Sequence, residues 1–306
     1  MAKLIQDRST ASNRTVVETW LDRHIVAWEA RDVQAITAGL HPEAVWLGPT
    51  SHWVGSQQIR IELAQRLAPW QRVQLKVRRL LIDVEQSAAA AEWACRYAGQ
   101  DERGCQELLG GTVLDFEANG RVKQWRTYLD PVRRRTLADW TTPLPDEGWS
   151  PYPDPGPSPA RTFIEQLLQR SATAWSSHDL AGLSSVFHDE ICIQPPWDYL
   201  AGRAAAEAGA QVYFTNYRNT QVTPRRILID PSQPYFGVCE QTFACTNPDT
   251  GRRGEDHDFA FFEIAQGKLR YWRTYFDTTN SAQAIEKTMG FLSQHGVACE
   301  GHLGSS

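Results

Sequence analysis

Long apolar runs, a basic excess and paired cysteines are all missing from this 306-residue chain. No stretch approaches the roughly 20 apolar residues needed to cross a bilayer, and residues 1–14 are polar, without the apolar segment of a signal peptide. A cytoplasmic protein without membrane contact is expected. The net charge of −5 offers no electrostatic footprint for nucleic acid or anionic lipid. Six cysteines form no Cys-x-x-Cys pair and no zinc-finger spacing, so they read as free thiols. No His/Asp/Glu grouping has the spacing of metal ligands. Glycine-rich phosphate loops, nucleophile elbows and dinucleotide fingerprints are absent as well. Neither a metal nor an organic cofactor is expected.

What the chain does contain is a repeat. Trp125-Arg126-Thr127-Tyr128-Leu129-Asp130 returns as Trp272-Arg273-Thr274-Tyr275-Phe276-Asp277, 147 positions on. Without a gap, the same offset aligns Ala27-Trp28 with Ala174-Trp175, Asp32 with Asp179, and His41 with His188. It also aligns Gly55 with Gly202, residues 78–83 with 225–230, and Gly120 with Gly267. A register kept over this length marks an internal duplication. Length agrees, since 306 residues suit two domains of about 150 each. Twelve tryptophans are unusual, and several occupy corresponding places in the two halves.

Each copy has the same order of elements. Val17, Trp20, Leu21, His24 and Trp28 recur at steps of three and four, a helical stripe. A short helix follows Asp32, its candidate cap, and then a short strand over 44–47. Ser56 is a candidate cap for a third helix presenting Ile59, Leu63 and Leu67. Strands are expected over 73–84, 88–97, 106–117 and 121–128, with turns at 85–87, 101–104 and 119–120. The second copy opens with Ser158-Pro159 as cap and first-turn proline and repeats the order, with a third helix over 203–217 and strands over 222–230, 235–245, 255–264 and 268–276. A further helix is expected over 281–293. The boundaries read as a flexible N-terminus 1–14, a first domain 15–135, a Pro-rich linker 136–158, a second domain 159–280, and a helix with tail over 281–306.

Three helices followed by a four-strand meander ending in Gly-basic-x-x-x-Trp-Arg-x-Tyr-x-Asp resemble the SnoaL-like branch of the nuclear transport factor two-like superfamily. The likeness covers nearly all of 15–130 and 160–277. It implies an α+β fold, with two tandem cone-shaped barrels, each of three helices wrapped by a curved antiparallel sheet. It further implies a ligand pocket at the open end of each cone and pairing of the two cones as an intramolecular pseudo-dimer. Fold alone leaves function open, because the superfamily includes isomerases, polyketide-cyclase-like enzymes, epoxide hydrolases, dehydratases and noncatalytic binders.

Enzymes of this group place a carboxylate or imidazole inside an apolar cone, where burial raises a carboxylate's pKa toward neutrality. Three positions commonly carry it. The third residue of the closing phrase is Thr127 and Thr274, the place on the first strand falls near Trp46 and Ile193, and the place on the penultimate strand falls near Thr112 and Phe259. None is acidic. The Arg-x-Asp pair of epoxide-hydrolase-like members would fall near Ala94 and Arg96, or Gln241 and Phe243, and is also unmatched. Alternation puts rings on the inward faces: Trp28, Trp46, Trp53 and Trp125 in the first copy, and Trp175, Trp197, Phe243, Phe259 and Trp272 in the second. These rings either line a pocket for a flat or apolar ligand or fill the cone as core.

His257 shares a face with Phe259 and Phe261, and is the candidate proton-transfer residue if that face is the pocket face; otherwise the run 255–258 is a solvated strand start. Glu240 is a further candidate of undetermined direction, while His41 and His188 read as turn residues. The resulting expectation is a protein binding a small apolar or aromatic metabolite in one or both cones. If it is catalytic, the second cone would perform cofactor-free isomerisation, cyclisation or dehydration, with Thr274, Trp272 and Trp197 shaping the pocket. A noncatalytic carrier or sensor, and a protein-interaction module, are the alternatives.

Overall fold

A computed structural model describes residues 2–48, 51–99, 105–130, 135–137, 140, 144, 152–195, 199–246, 248, 251 and 253–276. The chain divides into two compact units, 1–149 and 150–306. The expected helix over 281–293 and most of the proline-rich linker lie outside the described residues.

In the first unit, α1 (Ala2–Ala30) runs without a glycine or proline and starts before residue 15, the expected start of the first domain. Val17, Leu21 and His24 from the helical stripe are buried. Next come α2 (Val33–Thr37), β1 (Leu40–Gly48), β2 (Ser51–Val54) and α3 (Ser56–Leu67). The Asp32 side chain caps α2 by accepting from the Ala35 amide at 3.0 Å. Ser56 does not cap α3: the N-cap is Gly55, at φ 90°, and no side chain bonds there. Glycine alone adopts that φ without strain, so the backbone rather than a hydroxyl sets the helix start. Ile59, Leu63 and Leu67 are buried from α3, each stabilising the unit by about 1.5–3 kcal/mol.

The sheet of this unit is the expected meander, β3 (Trp70–Asp83), β4 (Ala88–Gly99), β5 (Cys105–Phe116) and β6 (Val122–Leu129), each antiparallel to the next. A short β7 (Arg135–Leu137) adds to β5. Pairing of β1 with the last strand was not legible in the sequence: β1 runs parallel to β6, with Trp46 opposite Trp125.

The second unit repeats this plan with α4 (Arg161–Ser177), α5 (Leu180–Val186), β8 (Phe187–Gln194), β9 (Leu200–Ala201), α6 (Arg203–Asn216), β10 (Arg218–Ile229), β11 (Phe236–Thr246), β12 (Arg253–Ala265) and β13 (Lys268–Phe276). Strands β10 to β13 form the meander, and β8 runs parallel to β13. Asp179 caps α5 through the Gly182 amide at 2.9 Å, as Asp32 caps α2. Helix α4 begins at Arg161 with Ala160 as an N-cap lacking a side-chain bond, so Ser158-Pro159 precedes the helix instead of starting it. His188 and His41 play matching structural roles, each Nδ1 accepting from the amide two residues on, at 3.1 Å and 3.2 Å.

One irregularity recurs in both meanders. Between β12 and β13, Glu263 pairs with Tyr271 but Ile264 with Leu269, so Arg270 is an extra residue on β13. Between β5 and β6, Asp115 pairs with Gln124 and Phe116 with Val122, leaving Lys123 extra. Each is a β-bulge at the start of the closing strand. A one-residue bulge changes which residue of the neighbouring strand shares a face with the closing phrase, and this decides the identity of the site residues.

Candidate functional site

The second unit encloses a cavity of about 230 Å³. Helical periodicity gives it two walls: Leu168, Ser171, Ala172 and Trp175 from α4, and Ala206, Gly209, Ala210 and Tyr213 from α6. A Cβ on Gly209 would come 2.7 Å from Leu200 Cδ1, so a larger residue there would have to displace the Leu200 side chain. Strand alternation gives the third wall: Gln241, Phe243 and Cys245 from β11, Asp256 and Asp258 from β12, and Trp272, Thr274 and Phe276 from β13. Trp272, Thr274 and Phe276 of the repeated phrase thus share the face that lines this cavity. Arg273 and Tyr275 occupy its other face and are also buried.

Asp258 is the ionisable group buried in this wall. It is 3% exposed, and it sits directly opposite Gln241 in the β11–β12 ladder. Gln241 Nε2 donates to Asp258 Oδ2 at 3.1 Å, whereas Asp258 Oδ1 is buried with no hydrogen-bond partner. Burial pushes the carboxyl well above the usual carboxylate range; the Gln241 bond pulls against this, and the negative charge of Asp256 adds to it. Asp256, two residues along the same face, is only half-buried.

The other polar groups are largely engaged. Trp272 Nε1 donates to Thr274 Oγ1 at 3.0 Å, so this indole N–H is not a handle for a ligand. Asn216 Nδ2 donates to the Val212 carbonyl. The Tyr213 hydroxyl faces the Cys245 thiol and Thr220 without completing a hydrogen bond of good geometry, and burial raises its pKa well above the ordinary value. Burial likewise raises the Cys245 thiol, which keeps it protonated and unreactive.

The candidates from sequence fall in several places. Trp175, Phe243, Trp272 and Thr274 line the cavity. Trp197 lies outside the described residues. His257 and Phe259 are corrections: they share the face of β12 turned away from the cavity, His257 exposed and Phe259 fully buried. An unbulged hairpin would set Phe259 opposite Thr274. The extra Arg270 sets Ala260 there instead, and brings Asp258 onto the cavity face. The penultimate strand thus does carry an acid, one residue from where counting puts it. Glu240 also lies off the cavity, since its neighbour Gln241 faces in.

In the first unit the candidate rings form a packed core. Trp46 stacks on Trp125 with centroids 4.2 Å apart, Trp53 packs on Trp46 at 5.4 Å, and Trp28 on Trp46 at 6.4 Å. Thr127 is half-buried on the same strand face as Trp125. Trp20 stacks on His24 at 4.3 Å, and Trp28 Nε1 donates to His24 Nε2 at 2.7 Å. Burial lowers the His24 pKa to about 3, so the ring is a neutral acceptor within the core.

Comparison at the 147-residue offset accounts for the difference. Where the first unit has His24, Trp46 and Trp53, the second has Ser171, Ile193 and Leu200, all lining its cavity. Where the second unit has Gln241 and Asp258, the first has Ala94 and Gly111. Gly110, beside Gly111, lies under the Trp93 ring, whose Cζ2 would be 2.5 Å from an added Cβ. Gly110 serves close packing.

Among the described residues no group of three or more His, Cys, Asp or Glu side chains could hold a metal, and no helix is long and apolar enough to cross a membrane. A search of curated proteins finds no match. Among solved structures, an LEH-like epoxide hydrolase from M. tuberculosis is similar at 17% identity, over 45% of this chain and 99% of that one, with a TM-score of 0.37. TsrD from Streptomyces laurentii is similar at 18% identity, over 44% and 99%, with a TM-score of 0.36. An NTF2-like protein from Burkholderia xenovorans LB400 is similar at 19% identity, over 41% and 97%, with a TM-score of 0.35. Likeness at this level carries no argument about activity. The family described as the SnoaL-like domain matches residues 18–125 and 168–272, one segment in each unit. The two matches span more than half of the sequence, and the chain belongs to the SnoaL-like domain family, whose fold it carries twice.

Proposed function

We propose that the second unit binds one small, mainly apolar molecule in its cavity, and that Asp258 exchanges a proton or a hydrogen bond with it. The observation that supports this reading is the condition of the Asp258 carboxyl, buried in an apolar wall with one oxygen held by Gln241 and the other unpartnered. A carboxyl desolvated in this way holds its proton to higher pH than an exposed one and can offer it to a basic atom. Cofactor-free isomerisation, cyclisation and dehydration are reactions that such a group serves. In this reading the first unit, with indoles where the second has space, holds no ligand.

A noncatalytic carrier is the second reading. It is favoured by Thr274, a hydroxyl engaged by Trp272 at a position where an acid would complete an acid–base pair. Asp258→Asn separates the two. Mass spectrometry of the small molecule that co-purifies with the protein supplies the ligand. An enzyme loses turnover by about 10²–10⁴-fold in the variant while still binding; a carrier returns the ligand unaltered from both proteins. Absence of any co-purifying molecule, together with no thermal shift and no change in Trp fluorescence across a small-molecule panel, would overturn ligand binding itself.

A further inference from the structure

Every charged side chain that lines the cavity is acidic. Among the described lining residues there are two carboxylates, Asp256 and Asp258, and no lysine, arginine or histidine. Three side-chain N–H donors of the lining residues are engaged within the protein: Gln241 Nε2 with Asp258, Trp272 Nε1 with Thr274, and Asn216 Nδ2 with Val212. Asp258 Oδ1, which has no hydrogen-bond partner within the wall, and the faces of the lining aromatic rings are electron-rich, while the hydroxyls of Ser171 and Tyr213 can donate as well as accept. A carboxylate or phosphate ligand would find no cationic side chain among the described lining residues. A ligand that brings its own positively polarised N–H groups would meet an acceptor and ring quadrupoles together.

We infer that the cavity selects small organic amines, bound as ammonium ions by Asp258 in the company of Trp175, Phe243 and Trp272. This rests on the reading of the cavity as a ligand site and adds the class of ligand. The proton balance is explicit. A free amine takes the Asp258 proton: the O–H bond breaks, an N–H bond forms, and an ammonium–carboxylate pair results. An ammonium ion entering from neutral solution leaves that same proton to the solvent, so binding releases one proton. Amine affinity therefore rises with pH until Asp258 is ionised in the free protein. A ligand that only accepts a hydrogen bond from the neutral acid shows the opposite dependence.

Three probes of nearly one shape separate the possibilities: benzylamine, benzyl alcohol and benzoate. Each is of a size for this cavity, since a benzene ring fits an apolar cavity of about 150 Å³. Titration calorimetry of the full chain in buffers of different ionisation enthalpy reads both affinity and proton release. Benzylamine is expected to bind roughly tenfold or more tighter than benzyl alcohol, with proton release, and benzoate is expected not to bind. Asp258→Asn should reduce benzylamine to the level of the alcohol, and a cooperative thermal melt of the variant shows that it is folded. Alcohol binding as tight as the amine, benzoate binding, or amine affinity unaffected by Asp258→Asn would overturn the amine assignment while leaving the ligand site standing. If none of the three binds, both the site and the assignment fall.

Discussion

Gln241 Nε2 donates to Asp258 Oδ2 at 3.1 Å across directly opposed positions of β11 and β12. The bond favours the ionised carboxyl and works against burial, which favours the neutral one. Gln241 thus sets how readily Asp258 gives up its proton. Replacing it with leucine removes the opposing effect, and the pH midpoint of Asp258-dependent binding or turnover should move upward. Gln241→Glu would place a second carboxyl against the first and should move it further. A pH profile of ligand affinity for the two variants and the parent tests this, and an unmoved midpoint counts against the positioning role.

Asp258 should also cost stability. Its folded-state pKa lies above the unfolded value of about 3.9, so between those two values the native state holds a proton that the unfolded chain has released. Stability then falls as pH rises through this window and levels off above it. Asp258→Asn removes the dependence. The variant is expected to be more stable than the parent by about 1–3 kcal/mol at neutral pH and equal to it below about pH 4. Urea unfolding across this pH range measures the difference.

His24 gives the opposite sign. Its pKa is lowered from 6.5 to about 3, and its Nε2 accepts from Trp28, which requires the neutral ring. The unfolded chain takes up a proton that the folded core refuses, so this group's contribution is complete above pH 6.5 and is lost as pH falls toward 3. At about 1.4 kcal/mol per unit, the loss is on the order of 4–5 kcal/mol. His24→Gln keeps an acceptor for Trp28 but cannot be protonated, and its acid unfolding curve should be correspondingly flatter.

Leu200 corresponds to Trp53 of the packed first unit and lines the second unit's cavity. Leu200→Trp should fill that space in the way the first unit is filled. We expect at least a tenfold loss of ligand affinity with a Tm within a few degrees of the parent, read by calorimetry and thermal melts.

His257→Ala should leave ligand affinity and Tm unchanged, because the side chain is exposed on the far face of β12. Exposed substitutions of this kind stay within about 0.5 kcal/mol. A measurable effect on binding would mean that this face of β12 takes part in the site.

Much of the molecule is written in the residues. Ungapped repetition at 147 positions required two copies of one fold. Alternation in Trp272-Arg273-Thr274 required that Trp272 and Thr274 share a face, and helical spacing required that Ile59, Leu63 and Leu67 be buried together. These are local consequences of backbone geometry, fixed by the periods of 2.0 and 3.6 residues. Alternation says which side chains share a face but not which face is concave. That depended on Arg270, one extra residue whose bulge turns Asp258 toward the cavity and His257 away from it. Nor could the sequence say which unit stays open. The parallel pairing of β1 with β6 sets Trp46 against Trp125 and closes the first, while the same pairing in the second sets Ile193 beside Trp272 and leaves room. Long-range register and side-chain volume settle those two points, and both arise only once the strands have packed.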